Sequence, residues 1–332
     1  IMFTGLIEGD QLALDASKVS AVFDDKNAGE GKSATITINA DALSGSDVGN
    51  YELNIVGSQK TTTADINKLT ITVTPDNKET IYGEQVNFTA AYSGFISGED
   101  ESVISGSASY SLGSDKETYE GKHDAGTHTI NVDTAGLSAD NYNFVGSTGT
   151  LTINARPVKI EALTTTPIEK VYDGKTTVRA LVKDTDYQIT GNGTSASGVA
   201  NGDNLTITYS ASYASKNASD NNPITVTSLA LKNNTNYYID NSSFTLPGKI
   251  TQKALTIKAE NKTITYGESS PEFTVEYEGF VTGDNATKLT GTLSFNCAYD
   301  TSVEANRVVG DYDIVPDGLS SQDYAITFEK GT

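Results

Sequence analysis

Residues 136–153 read GLSADNYNFVGSTGTLTI. A polar turn rich in Gly, Ser, Asp and Asn leads to a tyrosine, a strand, a short reversal and a second strand ending in Ile. The turn residues accept tight backbone conformations, and alternating Thr, Val and Ile suit a strand with one face buried. Versions of the same stretch occur at residues 43–66 (LSGSDVGNYEL, then TTTADI), 229–250 (LALKNNTNYYI, then LPGKI) and 318–332 (GLSSQDYAITFEKGT). Four related closing units make this a repeat protein built from strands.

Working outward from the closing units, four modules follow. Residues 1–67 contain the turn Asp24-Asp25-Lys26-Asn27-Ala28, the alternating strand ATITIN at 34–39 and a closing unit, and so resemble the C-terminal part of a module. Residues 68–155 begin with LTITVT, carry Tyr82-Gly83-Glu84, the turn Ser93-Gly94-Phe95 and the acidic turn Gly98-Glu99-Asp100-Glu101, and end with the closing unit at 136–153. Residues 156–253 form a second type of module. It holds KVYDGKTT at 170–177, a glycine- and serine-rich loop at 191–198, Asn201-Gly202-Asp203, and Ser215-Lys216-Asn217-Ala218, which answers Asp25-Lys26-Asn27-Ala28. Residues 254–332 repeat the second module: Tyr266-Gly267-Glu268 answers Tyr82-Gly83-Glu84, and Gly279-Phe280 with Gly283-Asp284 answers Gly94-Phe95 with Gly98-Glu99. This last module is expected to lack its final strand. The start, IMFTGLIEGDQ, has neither the basic flank nor the apolar core of a signal peptide and reads as a cut through a longer protein.

Composition narrows the function classes. A formal net charge of −20 opposes binding to nucleic acid or to anionic membrane surfaces. No run of 18 or more apolar residues is present, so no helical membrane insertion is expected. A single cysteine, Cys297, excludes an intrachain disulfide, and each module must rely on packing. The chain is expected to be monomeric.

Searches for chemistry return little. His123 and His128 are the only histidines and have no neighbouring cysteine, whereas a zinc site needs more ligands. Asp173-Gly174-Lys175-Thr176 ends like a phosphate loop, but Glu169 stands where its first glycine is required. No serine has glycine two residues away on both sides, which removes the nucleophile-elbow pattern. No catalytic or cofactor-binding residue is expected, and the chain is expected not to be an enzyme. Calcium is the one ion with candidate ligands: Asp24, Asp25, Glu99, Asp100, Glu101 and Asp203 sit in turns and offer hard oxygens, against the plainer reading of solvated turn carboxylates.

Tyr51, Tyr142, Tyr237 and Tyr324 share one position just after the polar turn. A tyrosine corner sits there in a β-sandwich, with its ring in the core and its hydroxyl bonded to nearby backbone. Tyr82, Tyr172 and Tyr266 fit the same account. Tyr187, Tyr213 and Tyr299 are the remaining candidates for an exposed glycan-stacking ring.

KVYDGKTT, the DKNAG turn and the GNY or TNY closing unit resemble the YDG domain. The YGE motif, the GF-x-x-GD turn and the GLS-x-x-x-Y ending resemble the MBG domain of the YGX type. The resemblance implies the alternating repeats of large bacterial surface adhesins, with extracellular β modules at the cell surface. It supplies no catalytic residues. The expected fold is all-β, a tandem series of antiparallel, immunoglobulin-like β-sandwich modules in a stiff elongated array. A β-grasp module with one short helix near 285–289 is the alternative. The expected function is that of a non-enzymatic stalk or spacer. The alternatives are modules that bind host glycan or glycoprotein weakly and gain avidity by repetition, and accessory domains of a secreted polysaccharide-degrading enzyme.

Overall fold

The computed structural model describes residues 2–56, 60–306 and 308–332. Residues 57–59, inside the first closing unit, lie outside the described residues. The chain divides into two compact units, one of residues 1–80 and 85–153, the other of Ile81–Glu84 and Asn154–Thr332. The fold is all-β: among the described residues the only helices are single 3-10 turns. One of these, Ala286–Lys288, stands where the β-grasp alternative placed its helix. Asn285 caps it by accepting from Thr287 N at 2.9 Å, and it stops after one turn.

In the first unit, Val19–Phe23, Gly29–Ile38 and Thr61–Ile66 form an antiparallel three-stranded sheet, with the pair Ala13–Leu14 and Leu43–Ser44 beside it. The next module has two main sheets and a short pair, Ser105–Gly106 with Leu137–Ser138. Leu69–Pro75 lies between Tyr142–Gly146 and Ala90–Ser93. The second sheet runs in the order Ser109–Leu112, Gly126–Asp133, Thr148–Asn154, Lys78–Ile81. Alternation in Leu69–Pro75 puts Ile71 and Val73 inward, and Ile130, Leu151 and Ile153 come from the facing sheet, all buried. This inward alternation from two layers is what makes the module a sandwich.

The second unit repeats the plan. Arg156–Ala162 lies between Tyr187–Thr190 and Tyr237–Ile239, and Lys253–Ala259 lies between Val275–Glu278 and Tyr324–Glu329. Parallel pairing recurs at one place in all three modules: each opening strand runs parallel to the strand begun by the closing-unit tyrosine, with Leu69 opposite Tyr142, Arg156 opposite Tyr237 and Lys253 opposite Tyr324. Almost the whole module separates these two strands, which gives the chain the length a parallel crossover needs. In the second unit Ile168–Val171 also runs parallel to Gly248–Thr251. One buried apolar cluster runs through both modules of the unit, from Ile160, Tyr172 and Ile250 to Leu255, Ile257 and Tyr324. Only Gln252 separates Gly248–Thr251 of one module from Lys253–Ala259 of the next.

Candidate functional site

Each closing-unit tyrosine meets a carboxylate. Tyr51 donates to Asp10 Oδ2 at 2.6 Å, Tyr142 to Glu99 Oε2 at 2.6 Å, Tyr237 to Asp203 Oδ2 at 2.6 Å and Tyr324 to Asp284 Oδ2 at 2.7 Å. The same hydroxyls accept a backbone N–H from the residue three positions before the carboxylate: Ile7, Ile96, Ala200 and Val281, at 3.0 to 3.3 Å. The phenol thus ties a short turn to the closing strand through one donated and one accepted bond. Hydrogen bonding to the carboxylate raises the pKa of Tyr51 and Tyr142, since an anionic phenolate would face an anion. Burial, reinforced by Asp284, pushes Tyr324 up to about 12, and burial with Asp203 raises Tyr237.

Two of these carboxylates accept a second tyrosine. Tyr172, 2% exposed, donates to Asp284 Oδ2 at 2.9 Å, and its ring packs edge-on against Tyr324 with centroids 5.4 Å apart. Tyr82, within the Ile81–Glu84 segment of the second unit, repeats this on Asp203 Oδ2 at 3.0 Å and on the Tyr237 ring at 5.3 Å. One carboxylate oxygen therefore holds two phenols from different modules. Bonds to a charged acceptor are the stronger class, and edge-to-face pairing adds about 0.5–1.5 kcal/mol.

Around Tyr82 the receptor is more elaborate. Arg156 is 8% exposed, and its Nε and Nη2 donate to the carbonyls of Gly198 and Ser197 in the glycine- and serine-rich loop. Nη1 is left for the inserted segment, reaching Tyr82 O at 3.1 Å and Glu84 Oε1 at 2.7 Å. Gly83 lies between, with φ of +87°, and a Cβ there would stand 2.6 Å from the Ala200 Cβ. The position therefore accepts only glycine without displacement.

A second contact recurs where a module with the DKNA or SKNA turn meets the next. Ala28 N donates to Asn141 Oδ1 at 2.8 Å, and Ala218 N donates to Asp323 Oδ1 at 2.8 Å. Asn141 and Asp323 each immediately precede a closing-unit tyrosine. Lys26 adds an ion pair to Glu99 at 3.6 Å.

The other sequence candidates fall elsewhere. Asp24 and Asp25 are exposed, and Asp25 accepts from Asn27 N and Lys32 Nζ. Asp100 caps the 3-10 turn Glu101–Val103. Glu99 and Asp203 hold tyrosine hydroxyls. Among the described residues no three His, Cys, Asp or Glu side chains gather as a metal-binding group. The rings of His123 and His128 pack 5.8 Å apart, beside Tyr119. Tyr187 and Tyr213 are buried, at 6% and 3% exposure, and cannot stack on a glycan. Tyr299 packs on Tyr312 and donates to Glu268 O. Tyr266 departs from the expectation of a buried ring: it is 65% exposed.

Cys297, Phe273, Tyr299 and Tyr312 line a cavity of about 400 Å³. Thr332 lies at its edge, in a position that answers Thr150 of the first module of this type. In the first module of this type Gly149 pairs with Ile130 at the start of Thr148–Asn154, and Thr150 N donates to Asn77 Oδ1. Gly331 pairs with Ile314, and Thr332 N donates to Asn261 Oδ1, in the same way.

The carboxylate turns share one signal, of which the sequence had shown the match of Gly98-Glu99 to Gly283-Asp284 but not the extension to all four modules. They read Ile7-Glu8-Gly9-Asp10, Ile96-Ser97-Gly98-Glu99, Ala200-Asn201-Gly202-Asp203 and Val281-Thr282-Gly283-Asp284, an apolar residue followed two later by Gly and an acid. The repetition of this tetrapeptide ahead of each closing tyrosine was available without coordinates.

Residues 71–152 and 255–332 match the family model of the MBG domain (YGX type), and residues 1–64 and 154–244 match that of the YDG domain. No curated protein sequence matches the chain. Among solved structures, the crystal structure of Dscam1 isoform 4.44, N-terminal four Ig domains, aligns over 94% of this chain and 80% of its own at 11% identity and a TM-score of 0.21. Drosophila N-cadherin EC1-4 aligns over 99% and 93% at 11% identity and a TM-score of 0.18. Scores this low leave the fold to the strand pairing described above. The two family matches account for nearly the whole length in the order of the four closing units, and the chain belongs to the YDG and MBG (YGX type) domain families, one alternating with the other.

Proposed function

We propose that this chain is a non-catalytic spacer in a bacterial cell-surface adhesin, extracellular, holding a binding region away from the cell. The observation that carries the reading is the tyrosine pair on a single carboxylate oxygen, Tyr172 with Tyr324 on Asp284 and Tyr82 with Tyr237 on Asp203. A spacer requires that each module hold the next in a fixed relation. Paired phenols sharing one acceptor, in a core that runs from Ile160 to Tyr324, restrain hinge motion at the joint between residues 156–251 and 253–332. The recurrence of motifs supports the same reading, because length needs repetition and a unique active site does not.

Small-angle X-ray scattering of the chain, in calcium and in chelator, tests it. A rigid profile with a maximum dimension above roughly 120 Å is expected for four modules stacked along strands of about ten residues. Extension only in calcium assigns the acidic turns a role as ion sites at the joints. A compact particle in both conditions refutes the spacer.

A further inference from the structure

In the second unit the Tyr82-Gly83-Glu84 motif is a plug fitted to a receptor: the phenol reaches Asp203 and Tyr237, Gly83 rests against Ala200, and Glu84 meets Arg156. The second MBG domain carries the same plug, and the side-chain bond it receives from elsewhere among the described residues comes from its own module, Tyr299 to Glu268 O at 2.9 Å. Tyr266 is 65% exposed where Tyr82 is 6% exposed. Gly267 holds the same left-handed backbone, with φ of +91° against +87°, yet a Cβ there would meet nothing within 4 Å. Glu268 Oε2 accepts from Thr265 N, so the hairpin keeps its turn while its outer face is open.

We propose that Tyr266-Gly267-Glu268 is a docking end for one kind of partner, a YDG domain with three features: an arginine opening its first strand, an apolar-x-Gly-Asp turn, and a closing-unit tyrosine. The arginine sets the choice of domain type. Arg156 stands opposite Tyr237 in the strand pairing, and the same register position holds Leu69 in the first MBG domain and Lys253 in the second. Neither Leu nor Lys can donate a planar fork to two loop carbonyls and still reach a glutamate. The plug of the YDG domain differs to match. In Tyr172-Asp173-Gly174 the acid bonds back to Lys170 Nζ of its own module at 2.6 Å, and a Cβ added at the glycine would meet only the Val281 side chain and the Tyr172 hydroxyl within 4 Å. A YGE plug thus selects a YDG receptor and a YDG plug an MBG receptor, which makes the alternation of the two families a property of their end faces. This inference rests on the joint geometry and goes beyond the spacer reading.

The test extends the full chain. Because Thr332 occupies the position of Thr150, residues 151–252 are appended after Thr332, completing the strand and supplying a second copy of the YDG domain. Hydrogen exchange then reports on residues 265–268. At least a tenfold gain in protection over the unextended chain is expected. Tyr266→Ala is expected to abolish the gain. Gly267→Ala is expected to abolish it as well, through the clash with the copied Ala200, and Ala200→Gly in the appended copy is expected to restore it for Gly267→Ala but not for Tyr266→Ala. An extension that leaves 265–268 unprotected, an appended domain that stays unfolded, or a Gly267→Ala chain as protected as the parent overturns the proposal. A compact scattering profile would refute the spacer and leave this docking test standing.

Discussion

Replacing Tyr172 with Ala removes a side chain of the YDG domain, yet its effect should be read in the MBG domain that follows. The phenol is 2% exposed, its bond to Asp284 Oδ2 measures 2.9 Å, and its ring meets Tyr324 at 5.4 Å and 76°. A hydrogen bond to a charged acceptor contributes roughly 1.5–3 kcal/mol. An edge-on aromatic pair contributes roughly 0.5–1.5 kcal/mol more. The part of the loss that crosses into the next domain is therefore roughly 3 kcal/mol, which corresponds to about a hundredfold rise in the open population at 1.4 kcal/mol per tenfold. Native-state hydrogen exchange on the amides of Tyr324–Glu329 measures this directly, with Tyr187–Thr190 as the comparison strand inside the YDG domain. Tyr172→Phe should retain the ring pair and lose only the larger, hydrogen-bonding share. If Tyr172→Ala lowers protection at Tyr187–Thr190 and leaves Tyr324–Glu329 unchanged, the two domains are not coupled through this tyrosine and the clasp is a local core contact.

Three further outcomes follow from the same joints. Arg156→Met should destabilise the second unit by roughly 1–3 kcal/mol, because it removes a donor shared by the carbonyls of Ser197, Gly198 and Tyr82, while Glu84 is 44% exposed and can be solvated; denaturant unfolding followed by circular dichroism measures it. Raising the pH should destabilise the second unit between about 10 and 12: Tyr324 is raised from 10.0 to about 12, so its contribution, roughly 3 kcal/mol, is complete below pH 10 and is lost as pH climbs through the folded value. Tyrosinate absorbance and circular dichroism should then change together. Asp323→Ala should cost about 1–2 kcal/mol by orphaning the buried Ala218 N–H, and Asn141→Ala, opposite the half-buried Ala28, should cost less; paired thermal melts compare the two.

Much of this architecture is written locally. Strand alternation in LTITVT and LTIKA, the Gly-rich turns before each closing tyrosine, and the shared position of Tyr51, Tyr142, Tyr237 and Tyr324 are all patterns within a few residues, where steric and burial rules act. The second tyrosines were not legible in the same way. Tyr82 and Tyr172 follow short strands that would suit an inward ring, Tyr266 follows the similar sequence Thr263-Ile264-Thr265, and nothing within ten residues distinguishes a ring that fills its own core from one that enters a neighbour. Their destinations depend on Asp203 and Asp284, more than a hundred residues away in sequence. Tyr266 shows the cost of reading locally: with the same motif as Tyr82 it is exposed, because burial there is a property of the module it meets. The parallel pairing of each opening strand with the closing-tyrosine strand was likewise invisible, since both strands carry the same alternation in either direction.

The choice of tyrosine at these joints answers a problem set by composition. With 43 acidic residues against 23 basic ones, the chain cannot pair every carboxylate with a cation of its own. An exposed ion pair such as Lys26 with Glu99, where the lysine side chain is 80% exposed, contributes little and is screened by salt. A phenol is a neutral donor on a large apolar ring. It can be buried without a charge of its own, it satisfies the carboxylate, and it brings the apolar area that a lysine head group lacks. Two phenols on one oxygen also satisfy the acceptor in a half-buried site, because both neighbours donate. Arg156 is the exception that fits the rule: its three nitrogens are shared among three carbonyls and one glutamate, so its single charge serves a whole receptor rather than one partner. In so acidic a chain, neutral donors at the joints allow domains to be held closely without adding to the repulsion between them.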